Sequence, residues 1–191
     1  MTSAQVLDVF TQCGALLDGH FQLSSGLHSP GYLQCALVLQ HPDHAAKLGA
    51  AVATHGRVWT PQVVLSPALG GLIIGYEVAR ALGVRAVFAE RRDGRLTLRR
   101  GFQLAPGERI LVVEDVITTG KSTREAIDVA RDHGGDVVGA AAVINRGGPD
   151  LDVNVHFETL TEVSWPTYAT SDCPLCADGL PITQPGSGFG L

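Results

Sequence analysis

The chain has 191 residues and a formal net charge of −5; 45% of its residues are hydrophobic and 17% are charged. This length suits one domain with a substantial core, and we expect residues 1–191 to form a single domain. The negative charge argues against a general nucleic-acid-binding protein. No apolar run approaches the roughly 18 residues of a membrane-spanning helix, and the N-terminus lacks a basic segment followed by a hydrophobic one. We therefore expect a cytoplasmic protein without a membrane partner.

The first part of the chain predicts two helices and a pair of strands. An apolar stripe over residues 2–17 predicts a helix with Ser3 as its N-cap. Alternating residues and glycines then predict two short strands, 19–26 and 29–33, around a turn. Pro42 suits the first turn of a second helix, which we expect to end near Gly56.

The middle of the chain repeats a strand–loop–helix pattern. It predicts strands at 63–65, 85–90, 109–113 and 137–144, helices at 72–82 and 123–132, and a polar loop at 91–100. Continuous apolar strands alternating with helices are typical of an α/β fold, with a central parallel sheet flanked by helices. We place this core at about 41–165. Residues 1–40 and the tail from Trp165 would form a small hood, with the last residues mobile.

The segment from Ile110 to Ser122 is the most informative part of the sequence. A buried strand delivers two adjacent carboxylates, Glu114 and Asp115, to the edge of the sheet, and a turn rich in hydroxyl groups and glycine then opens a helix. Adjacent carboxylates suit ribose hydroxyls or a hydrated Mg²⁺, and such a turn suits a phosphate. The alternative is an ordinary strand with solvated acids at its end. A P-loop is excluded because aspartate occupies position 115, where that motif needs glycine.

Basic residues are concentrated in one short segment of this acidic chain. A cluster of this kind attracts a compact anion, although a solvated charged hairpin would have the same composition. The five arginines are Arg91, Arg92, Arg95, Arg99 and Arg100.

Cys173 and Cys176 form the only Cys-x-x-Cys pair of the sequence. A structural zinc site would normally need a second pair, or two histidines at matching spacing, and the nearest histidine, His156, stands alone. We favour reduced thiols in a C-terminal turn. A disulfide and a metal shared across subunits stay open as alternatives.

Several of these segments resemble known sequences. Residues 112–122 resemble the phosphoribosyl pyrophosphate signature of type I phosphoribosyltransferases, and residues 21–32 resemble a segment of the orotate phosphoribosyltransferase family. Residues 98–102 and the Cys-Pro-Leu-Cys tail extend the similarity. The resemblance implies a Mg²⁺-dependent glycosyltransferase of pyrimidine biosynthesis, which converts orotate and phosphoribosyl pyrophosphate to orotidine 5′-phosphate and pyrophosphate.

The resemblance also implies roles for individual residues. Glu114 and Asp115 would hold the ribose hydroxyls and favour the cationic ring, and Arg99 and Arg100 would complete the catalytic set. Orotate would contact Thr118, Arg146 and Tyr32. Mg²⁺ would bridge pyrophosphate oxygens and water, with no direct protein ligand. Phosphoribosyl pyrophosphate would contact Arg91, Glu114, Asp115, Val116, Ile117, Thr118, Thr119, Gly120, Lys121 and Ser122.

The resemblance further implies a homodimer in which loop 91–100 closes over the partner's site and excludes water. The chain departs from the family pattern at three places. The loop lacks the expected lysines and histidine, Ser24 replaces an expected lysine, and Leu69-Gly70 replaces an expected Tyr-Lys. Arginine supplies charge but does not donate protons at neutral pH, so a proton donor to pyrophosphate is unassigned.

Two rival functions fit parts of the sequence. A phosphoribosyltransferase acting on a purine base is opposed only by residues 21–32 and Arg146. A non-catalytic sensor that binds phosphoribosyl pyrophosphate would need a DNA-binding element. The first fifty residues offer no basic helix, because Lys47 is their only lysine or arginine.

Overall fold

The computed structural model describes residues 1–23 and 25–185, so Ser24 and the predicted mobility of the last residues lie outside the described part. The helices are α1 Ser3–Gln12, α2 Cys35–Leu39, α3 Pro42–Gly56, α4 Gly71–Leu82, α5 Lys121–Asp132 and α6 Pro174–Ala177. The strands are β1 Leu16–Gln22, β2 His28–Leu33, β3 Val63–Pro67, β4 Arg85–Arg92, β5 Arg95–Leu98, β6 Arg109–Ile117, β7 Asp136–Asn145 and β8 Phe157–Glu162.

The N-terminal helix is shorter than the sequence predicts, and its cap is different. Thr2, not Ser3, is the N-cap: its hydroxyl accepts a hydrogen bond from the Gln5 amide at 3.3 Å, and the Gln5 side chain accepts one from the Thr2 amide at 2.9 Å. The helix ends before Gly14, whose φ of +62° suits glycine. Leu16 and Leu17, predicted as helical, instead begin β1.

The central sheet has six strands in the order β5-β4-β3-β6-β7-β8. All neighbouring pairs are parallel except β4 and β5, which form an antiparallel hairpin. The predicted parallel sheet is therefore confirmed for five strands. The predicted loop 91–100 is wrong in part, because Arg95–Leu98 pairs with β4 as an edge strand.

Two apolar layers cover the two faces of this sheet. One is built from α1, α2, α3 and α4, with fully buried Phe10, Leu48 and Ile74. The other is built mainly from α5, with Ile127 against β3 and β6. Helices on both faces explain why the central strands are almost continuously apolar. None of the described helices is long and apolar enough to cross a membrane.

Beside the main sheet, β1 and β2 form a separate two-stranded antiparallel sheet. The tail pairs with both strands, since Thr183 bridges to Phe21 and Tyr168 bridges to His28. This hairpin and the tail correspond to the hood that we predict. The boundaries assigned to hood and core stay predictions.

Candidate functional site

The carboxyl end of β6 places two acids beside the loops of its neighbours. Glu114 is buried, with 7% of its surface exposed, and Asp115 is partly exposed. No basic side chain of the described residues forms a salt bridge with either carboxylate. Burial raises the pKa of Glu114 well above its ordinary value, and the charge of Asp115 raises it further. Burial also raises the pKa of Asp115, although the Val116 amide, donating to Oδ1 at 2.9 Å, opposes this.

The turn after β6 combines exposed hydroxyl groups with a helix N-terminus. Thr118 and Thr119 are exposed, and Gly120 has a φ of +71°, a left-handed conformation that favours glycine. Gly120 is the N-cap of α5 and provides no side-chain cap; the Lys121 amide donates to the Thr119 hydroxyl at 3.4 Å, and the next amides of this 12-residue helix are left for another acceptor. This arrangement suits a phosphate group.

Arg124 braces this turn, a role that the sequence analysis did not assign. Its guanidinium donates hydrogen bonds to the Thr119 carbonyl at 2.8 Å and to the Asp152 carbonyl at 2.6 Å. Arg124 thereby links the turn to the segment that follows β7. Its position one turn into α5, next to a predicted anion site, is the signal that could have identified it.

The end of β7 brings Arg146 to the same edge of the sheet. The Arg146 amide donates to the Ile117 carbonyl at 2.7 Å, which ties the loop after β7 to the end of β6. The Arg146 guanidinium is half-buried and lies 5.2 Å from the ring centroid of Trp165. Burial lowers the pKa of Arg146, and the nearby Tyr32 phenol opposes that shift.

Tyr32 extends from β2 toward the same group of residues. Burial raises the pKa of its phenol, the Arg146 charge lowers it, and the charges of Cys35 and Asp115 raise it. Its neighbour Gly31 has no room for a side chain, because an added Cβ would lie 2.2 Å from the Trp165 ring. The structure therefore brings Tyr32, Arg146 and the acid pair together, and adds Trp165, which the sequence analysis did not single out.

The loop after β3 approaches the acids from the other side. A Cβ added at Gly70 would lie 2.8 Å from Oδ1 of Asp115, so glycine allows the backbone to come this close. The Ala68–Leu69 peptide bond preceding it is cis. The loops after β3, β6 and β7 therefore meet at one edge of the sheet, at the carboxyl ends of its parallel strands.

Of the arginines at 91–100, only some lie near this site. Arg91 donates to the Glu125 carboxylate on α5 at 2.5 Å, which places it near the turn 118–122. Arg99 and Arg100 instead pair with Glu90, at 3.3 and 2.9 Å. In this conformation these two arginines belong to a charged hairpin, and among the described residues they form no salt bridge with the acid pair.

Comparisons with known proteins agree with this geometry. The family described as the phosphoribosyl transferase domain matches residues 38–171. The orotate phosphoribosyltransferase of Pelotomaculum thermopropionicum is 50% identical over 187 residues, which cover 98% of each chain.

Solved structures share the fold. The orotate phosphoribosyltransferase of Aeropyrum pernix has a TM-score of 0.67 and 26% identity, covering 83% of this chain and 93% of that one. The Mycobacterium tuberculosis enzyme, solved in complex with 5-phospho-α-D-ribosyl 1-diphosphate, has a TM-score of 0.65 and 20% identity, covering 85% and 92%. With its acid pair and the turn 118–122 at one edge of the sheet, the chain belongs to the orotate phosphoribosyltransferase family.

Proposed function

We propose that this chain transfers the ribose 5-phosphate group of phosphoribosyl pyrophosphate to orotate, giving orotidine 5′-phosphate and pyrophosphate. The observation that carries the proposal is the position of Glu114 and Asp115 directly before the turn 118–122, in a chain that matches orotate enzymes over nearly its whole length. The two features would bind opposite ends of one ribose 5-phosphate group: the acids would bind the ribose hydroxyls, and the turn would bind the 5′-phosphate.

The reaction places opposite charges on the two separating groups. Breaking the bond between C1′ and pyrophosphate leaves positive charge on the ribose ring and negative charge on the leaving group. Glu114 and Asp115 favour the ring cation and accept hydrogen bonds from its hydroxyls. Because Glu114 is shielded from water and neither acid is paired with a basic side chain of the described residues, their field acts on the substrate more strongly than in solvent.

Arg146 is the residue that best explains a preference for orotate over a purine. Orotate carries a carboxylate, and the guanidinium fork binds that group with two parallel hydrogen bonds. No acid of the described residues forms a salt bridge with Arg146, and its pKa is lowered by burial, so a substrate carboxylate would supply the missing counter-charge. Tyr32 and Thr118 would contact the same base, and Trp165 would hold the guanidinium in place.

We propose Mg²⁺ as the cofactor, held by pyrophosphate oxygens and water with no direct protein ligand. Mg²⁺ prefers oxygen ligands and retains water, so it needs no dedicated protein site here. When bound, the ion neutralises charge on the pyrophosphate leaving group. The protein itself contributes the arginine-rich hairpin 91–100.

We also propose a homodimer with shared sites. The exposed start of α4 carries a group of apolar side chains, Leu69, Ile73 and Tyr76, with exposures of 82%, 45% and 63%. A second copy of the chain would cover this patch and bring its hairpin 91–100 toward the neighbouring site. A cytoplasmic location fits the four cysteines, all of them described and none in a disulfide.

The proposed function is tested by a panel of bases offered with phosphoribosyl pyrophosphate. Orotate consumption, followed by its ultraviolet absorbance, should require Mg²⁺ and should exceed turnover of adenine or hypoxanthine. Product from a purine and none from orotate would contradict the assignment. Tight binding of phosphoribosyl pyrophosphate without turnover of any base would instead support a regulatory protein.

A further inference from the structure

Four potential metal ligands meet in the hood, away from the site described above. The side chains of His20, His28, Cys173 and Cys176 each direct one nitrogen or sulfur atom to a common point, and these atoms all lie within 4.8 Å of one another. Three of the residues are buried, and Cys176 is exposed. The two histidines come from β1 and β2, whereas the cysteines flank the start of α6.

The nitrogen-to-sulfur distances are close to those of a tetrahedral metal site, and the two nitrogens lie somewhat closer together than such a site requires. Zinc bound to nitrogen at about 2.0–2.1 Å and to sulfur at about 2.3 Å requires tetrahedral edges of about 3.4 Å between nitrogens and about 3.6 Å between nitrogen and sulfur. Nε2 of His20 and Nδ1 of His28 are 2.9 Å apart. Nε2 of His20 lies 3.6 Å from Cys173 Sγ and 3.7 Å from Cys176 Sγ, and Nδ1 of His28 lies 3.3 Å from Cys176 Sγ.

The outer ring nitrogens of both histidines have oxygen partners. Nδ1 of His20 lies 2.8 Å from the Leu180 carbonyl, an acceptor that requires this nitrogen to carry the proton. Nε2 of His28 lies 3.4 Å from the Thr170 hydroxyl. Such outer partners are what orient metal-binding histidines and fix their tautomer. When Nε2 of His28 donates to the Thr170 hydroxyl, both inner nitrogens present lone pairs to the same point, which a cation satisfies.

We propose that these four residues bind one structural zinc ion within a single chain. Two thiolates and two imidazoles favour Zn²⁺ over Mg²⁺, which prefers oxygen. With four protein ligands the site is closed, and therefore structural rather than catalytic. The exposed Cys176 gives the ion a path of entry.

The ion would fasten the tail to the β1–β2 hairpin. Backbone hydrogen bonds already run beside the ligands: the Thr183 amide donates to the His20 carbonyl at 2.8 Å, and His28 and Tyr168 exchange two bonds of 2.9 Å. A two-stranded hairpin is marginally stable by itself, so a metal bridge would contribute much of its rigidity. Because β2 also carries Tyr32, the ion would help to position the base-binding side of the hood.

The first test is the metal content of protein purified without chelators. Elemental analysis should find about one zinc per chain, and this should fall at least about tenfold in Cys173→Ser and in His28→Ala. Cys13→Ser and His156→Ala are matched controls, because both residues lie outside the cluster, and both variants should retain the ion. Wild-type protein with little zinc and a mass lower by two hydrogens would overturn the proposal in favour of a disulfide.

A second test does not depend on the folding of any variant. Replacement of zinc in the wild-type chain by Co²⁺ should give the visible bands of a tetrahedral ion and an ultraviolet sulfur-to-metal charge-transfer band. Removal of the ion with a strong chelator should lower Tm by several degrees, and added zinc should restore it. A cobalt spectrum without thiolate bands, or a Tm indifferent to chelation, would contradict the site. Neither readout depends on orotate turnover.

Discussion

The environment of Glu114 opposes the ionisation that its proposed role requires. The carboxylate is almost fully buried beside a second acid, and both surroundings raise its pKa. Carboxyl groups with strongly raised pKa values are typical of functional sites, where the loss of folding stability is offset by a gain in catalysis. Burial raises the pKa of Asp115 as well, and backbone hydrogen bonds, including the one from the Val116 amide, oppose that shift.

Asp115→Asn should reduce turnover by at least about a hundredfold, the scale of losing one preorganised electrostatic group. The amide keeps the shape of the side chain but cannot favour a cationic ribose ring. Steady-state kinetics at saturating orotate would measure the loss. Asp128→Asn, on the exposed face of α5, is the control and should leave turnover unchanged. Near-normal turnover in Asp115→Asn would remove this residue from the mechanism.

Glu114→Gln should make the protein more stable near neutral pH while reducing its activity. A carboxyl whose pKa is higher in the folded than in the unfolded state binds protons more tightly when folded. Its contribution to the unfolding free energy therefore falls as pH rises from the ordinary value of 4.5 through the raised pKa. The neutral amide lacks this penalty.

Thermal unfolding across pH provides the measurement. Tm of Glu114→Gln should exceed that of the wild type by a few degrees at about pH 7, and the difference should shrink as pH falls toward the ordinary carboxyl range. A variant that is less stable than the wild type at neutral pH would show that the ionised carboxylate makes a stabilising contact.

At the scale of elements, the sequence analysis succeeded where apolar periodicity was strong and failed at the edges of the sheet. The buried strands β3 and β7 and the helices α4 and α5 lie close to their predicted bounds, whereas β6 was predicted to end at 113 and continues to Ile117, so that both acids lie inside it. The edge strands β5 and β8 were missed, because β5 has only four residues and four of the six residues of β8 are glutamate or threonine. An edge strand has one pairing partner and tolerates such residues, so its sequence looks like a loop.

The hairpin formed by β4 and β5 carries the next prediction. Arg99→Ala combined with Arg100→Ala should raise KM for phosphoribosyl pyrophosphate or lower turnover by about tenfold or more, the effect of losing about 1.4 kcal/mol of charge-assisted contact. The KM for orotate should change little. Both arginines pair with Glu90 in the free conformation, so binding requires them to exchange this partner for pyrophosphate.

Arg131→Ala, in the last turn of α5, serves as the charge control for this pair and should leave both KM values unchanged. Orotate titrations of the double variant complete the comparison. If orotate affinity collapsed while the other substrate bound normally, the hairpin would lie at the base end of the site instead.

For the whole molecule, we propose that the hairpin 91–100 of each subunit completes the site of its partner. This proposal needs two variants in one dimer for its test. A subunit with Asp115→Asn keeps an intact hairpin, and a subunit with Arg99→Ala and Arg100→Ala keeps an intact acid pair. When the two are co-expressed and their hybrid dimer is purified through two different tags, one of its two sites combines both intact parts. At a fixed, subsaturating concentration of phosphoribosyl pyrophosphate, the hybrid should recover about half of the wild-type rate, well above the average of its two parents, which are lower by about a hundredfold and about tenfold.

Hybrid dimers with no more activity than the average of their parents would show that each hairpin serves its own subunit. Light scattering of the wild-type chain supplies the necessary check on assembly. Replacing Tyr76 by aspartate in the exposed patch should shift that assembly toward monomers, since a buried charge without a partner is costly.

Contacts between distant parts of the chain were beyond prediction from the sequence. The acid pair and the phosphate turn are adjacent in sequence, so one motif was enough to place them. The cluster of His20 and His28 with Cys173 and Cys176 forms only when the tail folds back on the first hairpin, and spacing rules for local zinc motifs do not detect such a set. The role of Trp165 was not predictable either, because its partners Gly31 and Arg146 come from separate elements.

Because Gly70 lies so close to Asp115, substitutions at these two positions, which are far apart in the chain, depend on each other. Any residue other than glycine at position 70 would place its first carbon 2.8 Å from Oδ1 of Asp115, so the carboxylate would have to shift. Substitution there is therefore epistatic with position 115. A lineage descending from this sequence would acquire a basic side chain at position 70 together with a displacement of the Asp115 carboxylate.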